Sequence, residues 1–167
     1  MLAIFLLIIG IFSRLVLHIP NFTPIMAIAL FSGFYTKKKY AVFLPVVLMM
    51  VTDLILGLHE AIFFTWGSVA LIAGLGLIGR KNKNVKTVAG FSLASAILFF
   101  VITNFGVWLV SGLYETTLSG LGRCFTLAIP FFRYTLLSTL IYTFVFFGLF
   151  ESIAFYVRKT KLAHVLL

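Results

Sequence analysis

Residues 61–110 read AIFFTWGSVALIAGLGLIG (61–79), RKNKNVKT (80–87) and VAGFSLASAILFFVITNFGVWLV (88–110). The two outer runs hold no acidic or basic residue, and each is about the 20 residues that a helix needs to cross a hydrocarbon core roughly 30 Å thick. The turn between them carries Arg80, Lys81, Lys83 and Lys86. The Gly-rich end of the first run, AGLGLIG, suits close helix packing. This is the pattern of a membrane hairpin with a basic connection.

The same pattern extends in both directions. Hydrophobic residues make up 62% of the 167 residues, only 10% are charged, and mean hydropathy is +1.19, which leaves too little polar surface for a soluble domain. The reading is an all-α, polytopic membrane protein forming a single transmembrane domain over 1–167. Six transmembrane helices are expected at about 1–17, 22–36, 40–58, 61–79, 88–110 and 135–157.

The first run lacks a basic leader and a small-residue cleavage site and carries Arg14 at its far end, so it reads as a retained helix. Thr23 and Pro24 suit the start of the second helix. The stretch SGLYETTLSGLGRC (111–124) reads as the one sizeable loop, with Pro130 kinking or starting the approach to the last span.

Charge sets the orientation. A net charge of +9 raises the possibility of nucleic-acid binding, but the 13 basic residues are sorted by loop rather than gathered on one helix face. Six spans put Lys37, Lys38, Lys39, Arg80, Lys81, Lys83, Lys86, Arg158, Lys159 and Lys161 on one side. The positive-inside rule makes that side cytoplasmic, with both termini inside, in a multi-pass protein of the inner (cytoplasmic) membrane. The lipid bilayer is then the first partner and nucleic acid is not one.

Several chemistries lack their residues. The lone cysteine, Cys124, excludes an internal disulfide framework and a multi-cysteine metal site. His59-Glu60 is followed by Ala61-Ile62-Phe63, so no H-E-x-x-H zinc motif exists; no metal or cofactor is expected. A G-x-x-x-x-G-K-[ST] loop, a G-x-S-x-G elbow and a carboxylate-rich magnesium motif are also missing, which argues against an enzyme and against ATP hydrolysis by this chain alone.

The polar residues that remain gather on the outer side: Arg14, His18 and Asn21 around the first loop, Asp53, His59 and Glu60 around the second, and Asn104, Trp108, Tyr114, Glu115, Arg123, Cys124 and Arg133 around the third. A charge at helix centre costs about 2.5–3.5 kcal/mol, so Arg14 and Asp53, both inside their spans, read either as an ion pair or as pocket groups. Asn104 and Trp108, four apart on one helical face, offer an amide and an indole to a ring-shaped ligand, or else an interhelical bond and an interfacial anchor. Glu151 stands alone in the inner half of the last span, with no role assigned.

Three blocks, HIPNFTPIMAIALFSGFY (18–35), VTDLILGLHE (51–60) and TNFGVWLVSGLYETTLSGLGRCFTLAIPFF (103–132), carry a family resemblance. They resemble a family of small membrane proteins described as transport proteins and related to the substrate-binding S components of energy-coupling factor (ECF) vitamin transporters. The resemblance implies an ECF S-component-like fold with a substrate pocket at the outer side and docking to a coupling transmembrane subunit with separate ATPases. By position it implies that Asn21, Phe22 and Thr23 close the pocket, that Asp53 and His59 line it from the second loop, and that Asn104, Trp108 and Tyr114 line it from the third. Those transporters often carry Ala-x-x-x-Ala in their first helix; here Ala29-x-x-x-Gly33 stands in the second.

The function so indicated is uptake of a small organic micronutrient, vitamin or vitamin-like, captured outside by residues including Arg14 and His18. Two other classes stay open: a membrane scaffold or assembly subunit, and an intramembrane enzyme acting on a lipid with Asp53, His18 or His59 as acid and base.

Overall fold

The computed structural model describes residues 2–16, 21–158 and 160. Their regular structure is helical: α1 (Leu2–Val16), α2 (Ile25–Tyr35), α3 (Lys38–Ala41), α4 (Phe43–Leu56), α5 (Ile62–Gly79), α6 (Val85–Val110) and α7 (Leu118–Val157). α3 and α4 follow one another as one apolar run, Lys38–Leu56, and this run, α5, α6 and α7 are each long and apolar enough to cross a membrane. Many large side chains on these helices face outward, among them Leu54, Ile55, Phe63 and Ile78, as lipid contact requires. The chain is therefore a multi-pass α-helical membrane protein.

The centre of the bundle is α2. Every residue from Ile25 to Phe34 is buried, so this helix has no polar face to give to water. Its 11 residues span only about 16 Å, too little for a bilayer, and it survives by being enclosed by α1, α4, α5, α6 and α7. On one side Gly33 lies against Gly76 of α5: a Cβ on Gly33 would meet the Ala73 carbonyl oxygen and come within 2.5 Å of the Gly76 Cα. On another, Phe31 packs edge-on against Phe147 and Phe150 of α7, with centroids 5.5 and 5.6 Å apart.

The buried ends of α2 must still satisfy their backbone. At its C-terminus Arg80, beginning the basic loop after α5, donates from Nε to the Gly33 carbonyl at 3.0 Å and from Nη2 to the Gly33 and Thr36 carbonyls. At its N-terminus the cap position is Pro24, which has no side-chain group to cap the helix, while its carbonyl accepts from the Ile28 amide at 2.8 Å.

α7 departs from the expected last span. The last helix begins at Leu118 rather than near 135, and Pro130 lies inside it. Thr117 supplies the start signal, its hydroxyl accepting from the Gly120 amide at 3.1 Å. Glycines and polar residues in SGLGRC suggest a loop by composition, and a proline within a helix both removes a backbone donor and crowds the carbonyl four residues before it, at a cost of about 3 kcal/mol that the packing of α7 against α6 offsets. Within this interface Ser92, Thr139 and Thr143 are fully buried, and the Ser92 hydroxyl lies 3.2 Å from that of Thr143. At about 60 Å, α7 is longer than one hydrocarbon crossing needs.

Candidate functional site

The helices pack so that the loops 80–84 and 36–37 and the end of α7 share one end of the bundle. A cavity of about 370 Å³ lies in the half away from them. It is framed by the end of α1, the segment entering α2, the α4–α5 turn, the second half of α6 and the middle of α7. Five expected residues meet there: Arg14, Asn21, Thr23, His59 and Asn104.

Among the described residues Arg14 is the one formal charge on the cavity wall, and it is already matched. Its Nη2 lies 2.6 Å from Asp53 Oδ1, and its Nη1 donates to the Thr52 hydroxyl. The indole of Trp66 donates to Asp53 Oδ2 at 2.8 Å, so both carboxylate oxygens are engaged. The Asp53 side chain is 3% exposed and that of Arg14 12%, with Arg14 lying between Asp53 and the cavity. A buried charge without a partner is expensive, and here three helices converge to supply one.

The rest of the polar lining is neutral. Asn104 donates from Nδ2 to the Phe100 carbonyl at 2.7 Å on its own helix, leaving Oδ1 without a protein donor among the described residues. Thr103 likewise bonds back to the Phe99 carbonyl at 2.8 Å. His59 is exposed on the α4–α5 turn with Nε2 3.5 Å from the Thr65 hydroxyl, a distance at the limit of a hydrogen bond. Asn21 takes a positive φ of 59°, which an asparagine tolerates and most side chains do not. Phe99, Phe100, Phe131 and Phe132 give the apolar part of the wall.

Four expected residues sit elsewhere. Trp108 donates its indole N–H to the Glu115 carbonyl at 2.9 Å and packs on Phe105, so it pins the α6–α7 loop instead of lining the cavity. Tyr114 lies in that loop, outside the cavity. Phe22 turns toward Tyr142 of α7, with ring centroids 5.8 Å apart. Asp53 stands behind Arg14. His18 falls outside the described residues. Cys124 is buried with its thiol 3.4 Å from the Asn104 carbonyl, a packing position in the α6–α7 seam.

Thr65, Thr103, Thr135, Met26, Met49 and the four phenylalanines also line the cavity, and the sequence carries no signal for them. Nothing in an apolar run distinguishes a cavity phenylalanine from one facing lipid. Trp66 and Thr52 had a usable signal, since a buried aspartate demands donors and both lie within reach of it in sequence.

Among the described residues no group of three or more His, Cys, Asp or Glu side chains is arranged to hold a metal ion. The chain matches no curated protein and no solved structure, so the likeness to ECF S components rests on the sequence blocks alone. Residues 1–162 match the family of unknown function DUF6580, and the chain belongs to that family.

Proposed function

We propose that this protein is a substrate-binding transport component of the inner membrane, which takes up a small, uncharged or internally neutralised organic molecule from the outer side. The observation that carries the reading is the cavity opposite the basic loops. Its one guanidinium is cancelled by Asp53, its other polar groups are amides, hydroxyls and an imidazole, and its apolar wall is built from phenylalanine rings. Such a wall favours a ring-bearing ligand with a few hydrogen-bonding groups, in a volume usual for small-molecule sites.

Orientation follows from the positive-inside rule, which puts the basic loops in the cytoplasm and the cavity toward the outside. The sequence resemblance supplies the class, a vitamin or vitamin-like micronutrient, and the partner, a coupling transmembrane subunit with separate ATPases. No catalytic role is assigned. Asp53, the strongest candidate for acid–base chemistry, has both oxygens bonded to Arg14 and Trp66 and is screened from the cavity by Arg14.

The test is a thermal-shift screen of purified protein against neutral heteroaromatic and vitamin-like compounds, run on the native chain and on Asn104→Leu. A compound that stabilises the native chain and loses its effect in Asn104→Leu supports the proposal. A panel that stabilises neither, or both equally, counts against it.

A further inference from the structure

A second groove lies at the basic end, lined by Phe34, Tyr35, Thr36, Arg80, Lys83, Phe150 and Arg158, with a volume of about 410 Å³. Among the described residues three cations converge on it against one nearby carboxylate, Glu151, and that carboxylate is engaged. Its Oε1 accepts from the Tyr35 hydroxyl at 2.7 Å, and its Oε2 lies 4.0 Å from Arg158. Arg80 spends its donors on the carbonyls of Gly33 and Thr36, which satisfies hydrogen bonds without cancelling its charge.

Lys83 is the unspent group. Its ammonium sits 4.2 Å over the Tyr35 ring, and no carbonyl or carboxylate bonds to it among the described residues. Burial pushes the Lys83 ammonium down from its usual range; Glu151 acts against this, while Arg80 and Arg158 push the same way. The groove thus holds surplus positive charge beside the rings of Phe34 and Phe150. Phe34 and Phe150, both buried, close the floor of the groove, so its selectivity lies in the charged groups on its rim.

We infer that this groove, framed by Arg80, Lys83, Arg158, Phe34 and Phe150, binds a phosphate-bearing anion, with the headgroup of an anionic phospholipid as the fitting source. Basic pockets between helices at the cytoplasmic side are suited to such headgroups. Phosphate oxygens would take the free Lys83 donors, with the Arg158 guanidinium beside them.

Native mass spectrometry of the purified full chain in detergent tests the site, with dioleoylphosphatidylglycerol, dioleoylphosphatidylcholine or inorganic phosphate added in turn. Expected is one phosphatidylglycerol adduct held in preference to phosphatidylcholine, weakened roughly fivefold by Lys83→Gln and by Arg158→Gln. Lys39→Gln removes the same charge outside the groove and should leave the adduct intact. A phosphate adduct lost in the same two variants would assign the anion site to soluble phosphates. Equal binding of the two lipids without any phosphate adduct, or equal loss in Lys39→Gln and Lys83→Gln, would overturn the inference. Arg158→Gln provides the reading if Lys83→Gln fails to fold.

Discussion

The Arg14 guanidinium lies 2.6 Å from the Asp53 carboxylate, and this pair fastens the end of α1 to the end of α4 while Trp66 of α5 holds the carboxylate's other oxygen. The ion pair therefore does two things. It lets two charges stay at membrane depth, and it presents the cavity with a guanidinium whose charge is spoken for.

Removing one partner should cost far more than removing both. Arg14→Met leaves Asp53 buried with only Trp66, and unfolding of the detergent-solubilised protein should show a loss of about 3–5 kcal/mol. The double variant Arg14→Met/Asp53→Leu should recover a large part of that loss. Additive effects of the two single changes, read from thermal denaturation, would mean that the pair is not coupled.

The α2–α5 crossing makes a sharper steric prediction. A Cβ on Gly76 would meet the Leu30 carbonyl oxygen and stand 2.8 Å from the Gly33 Cα, both backbone atoms that cannot swing aside. Gly76→Ala should destabilise by about 3 kcal/mol, at the upper end of overpacking costs. Gly74→Ala, two residues away with nothing within 4 Å of the new methyl, should be neutral or mildly stabilising. Melting temperatures of the two variants decide this directly.

Trp108 and Asn104 lie four residues apart on α6 yet should behave oppositely. Asn104 lines the cavity, so Asn104→Ala should weaken ligand binding roughly tenfold with little change in stability. Trp108 pins the Glu115 carbonyl, so Trp108→Phe should loosen the α6–α7 loop, raising amide hydrogen exchange over 111–117, and leave affinity unchanged. Reversed effects would exchange the roles of the two residues.

Arg80 should prove to be a cap for α2 as much as a topology signal. Arg80→Gln strips the Gly33 and Thr36 carbonyls of charged donors and should cost about 1–3 kcal/mol, whereas Lys81→Gln in the same loop, exposed and without such bonds, should cost little. Chemical denaturation of the two variants measures the difference.

How much of this was legible in the sequence depended on whether the deciding interaction was local. The apolar runs of α4, α5 and α6 are set by composition over single segments, which makes them legible as helices in the sequence. The start of α7 was missed because Gly120, Gly122 and Pro130 look like loop residues, while the packing of α7 on α6 that overrides them is a tertiary fact. The burial of α2 shows in the sequence only as an apolar run too short to cross a membrane unaided.

The site was legible in its charges and hidden in its walls. Arg14 and Asp53 stand out in the sequence because charges inside apolar spans need partners, and the two pair with each other. Trp108 misled because an indole four residues from an amide fits a pocket as well as it fits a loop tie, and only the position of the Glu115 carbonyl separates the two. Phe100 and Phe132, whose rings meet 4.7 Å apart at the cavity, cannot be told by sequence from phenylalanines that face lipid.

Binding of a small organic molecule in the cavity between α1, α2, α6 and α7 is what the proposed function requires. It is tested most directly by denaturing the detergent-extracted protein and identifying the released compounds by mass spectrometry, with Asn104→Leu/Thr103→Leu processed in parallel. One ring-bearing compound is expected in near-stoichiometric amount from the native chain, with a large loss of it from the folded double variant. Recovery of no such compound from native protein, or equal recovery from both, would contradict it.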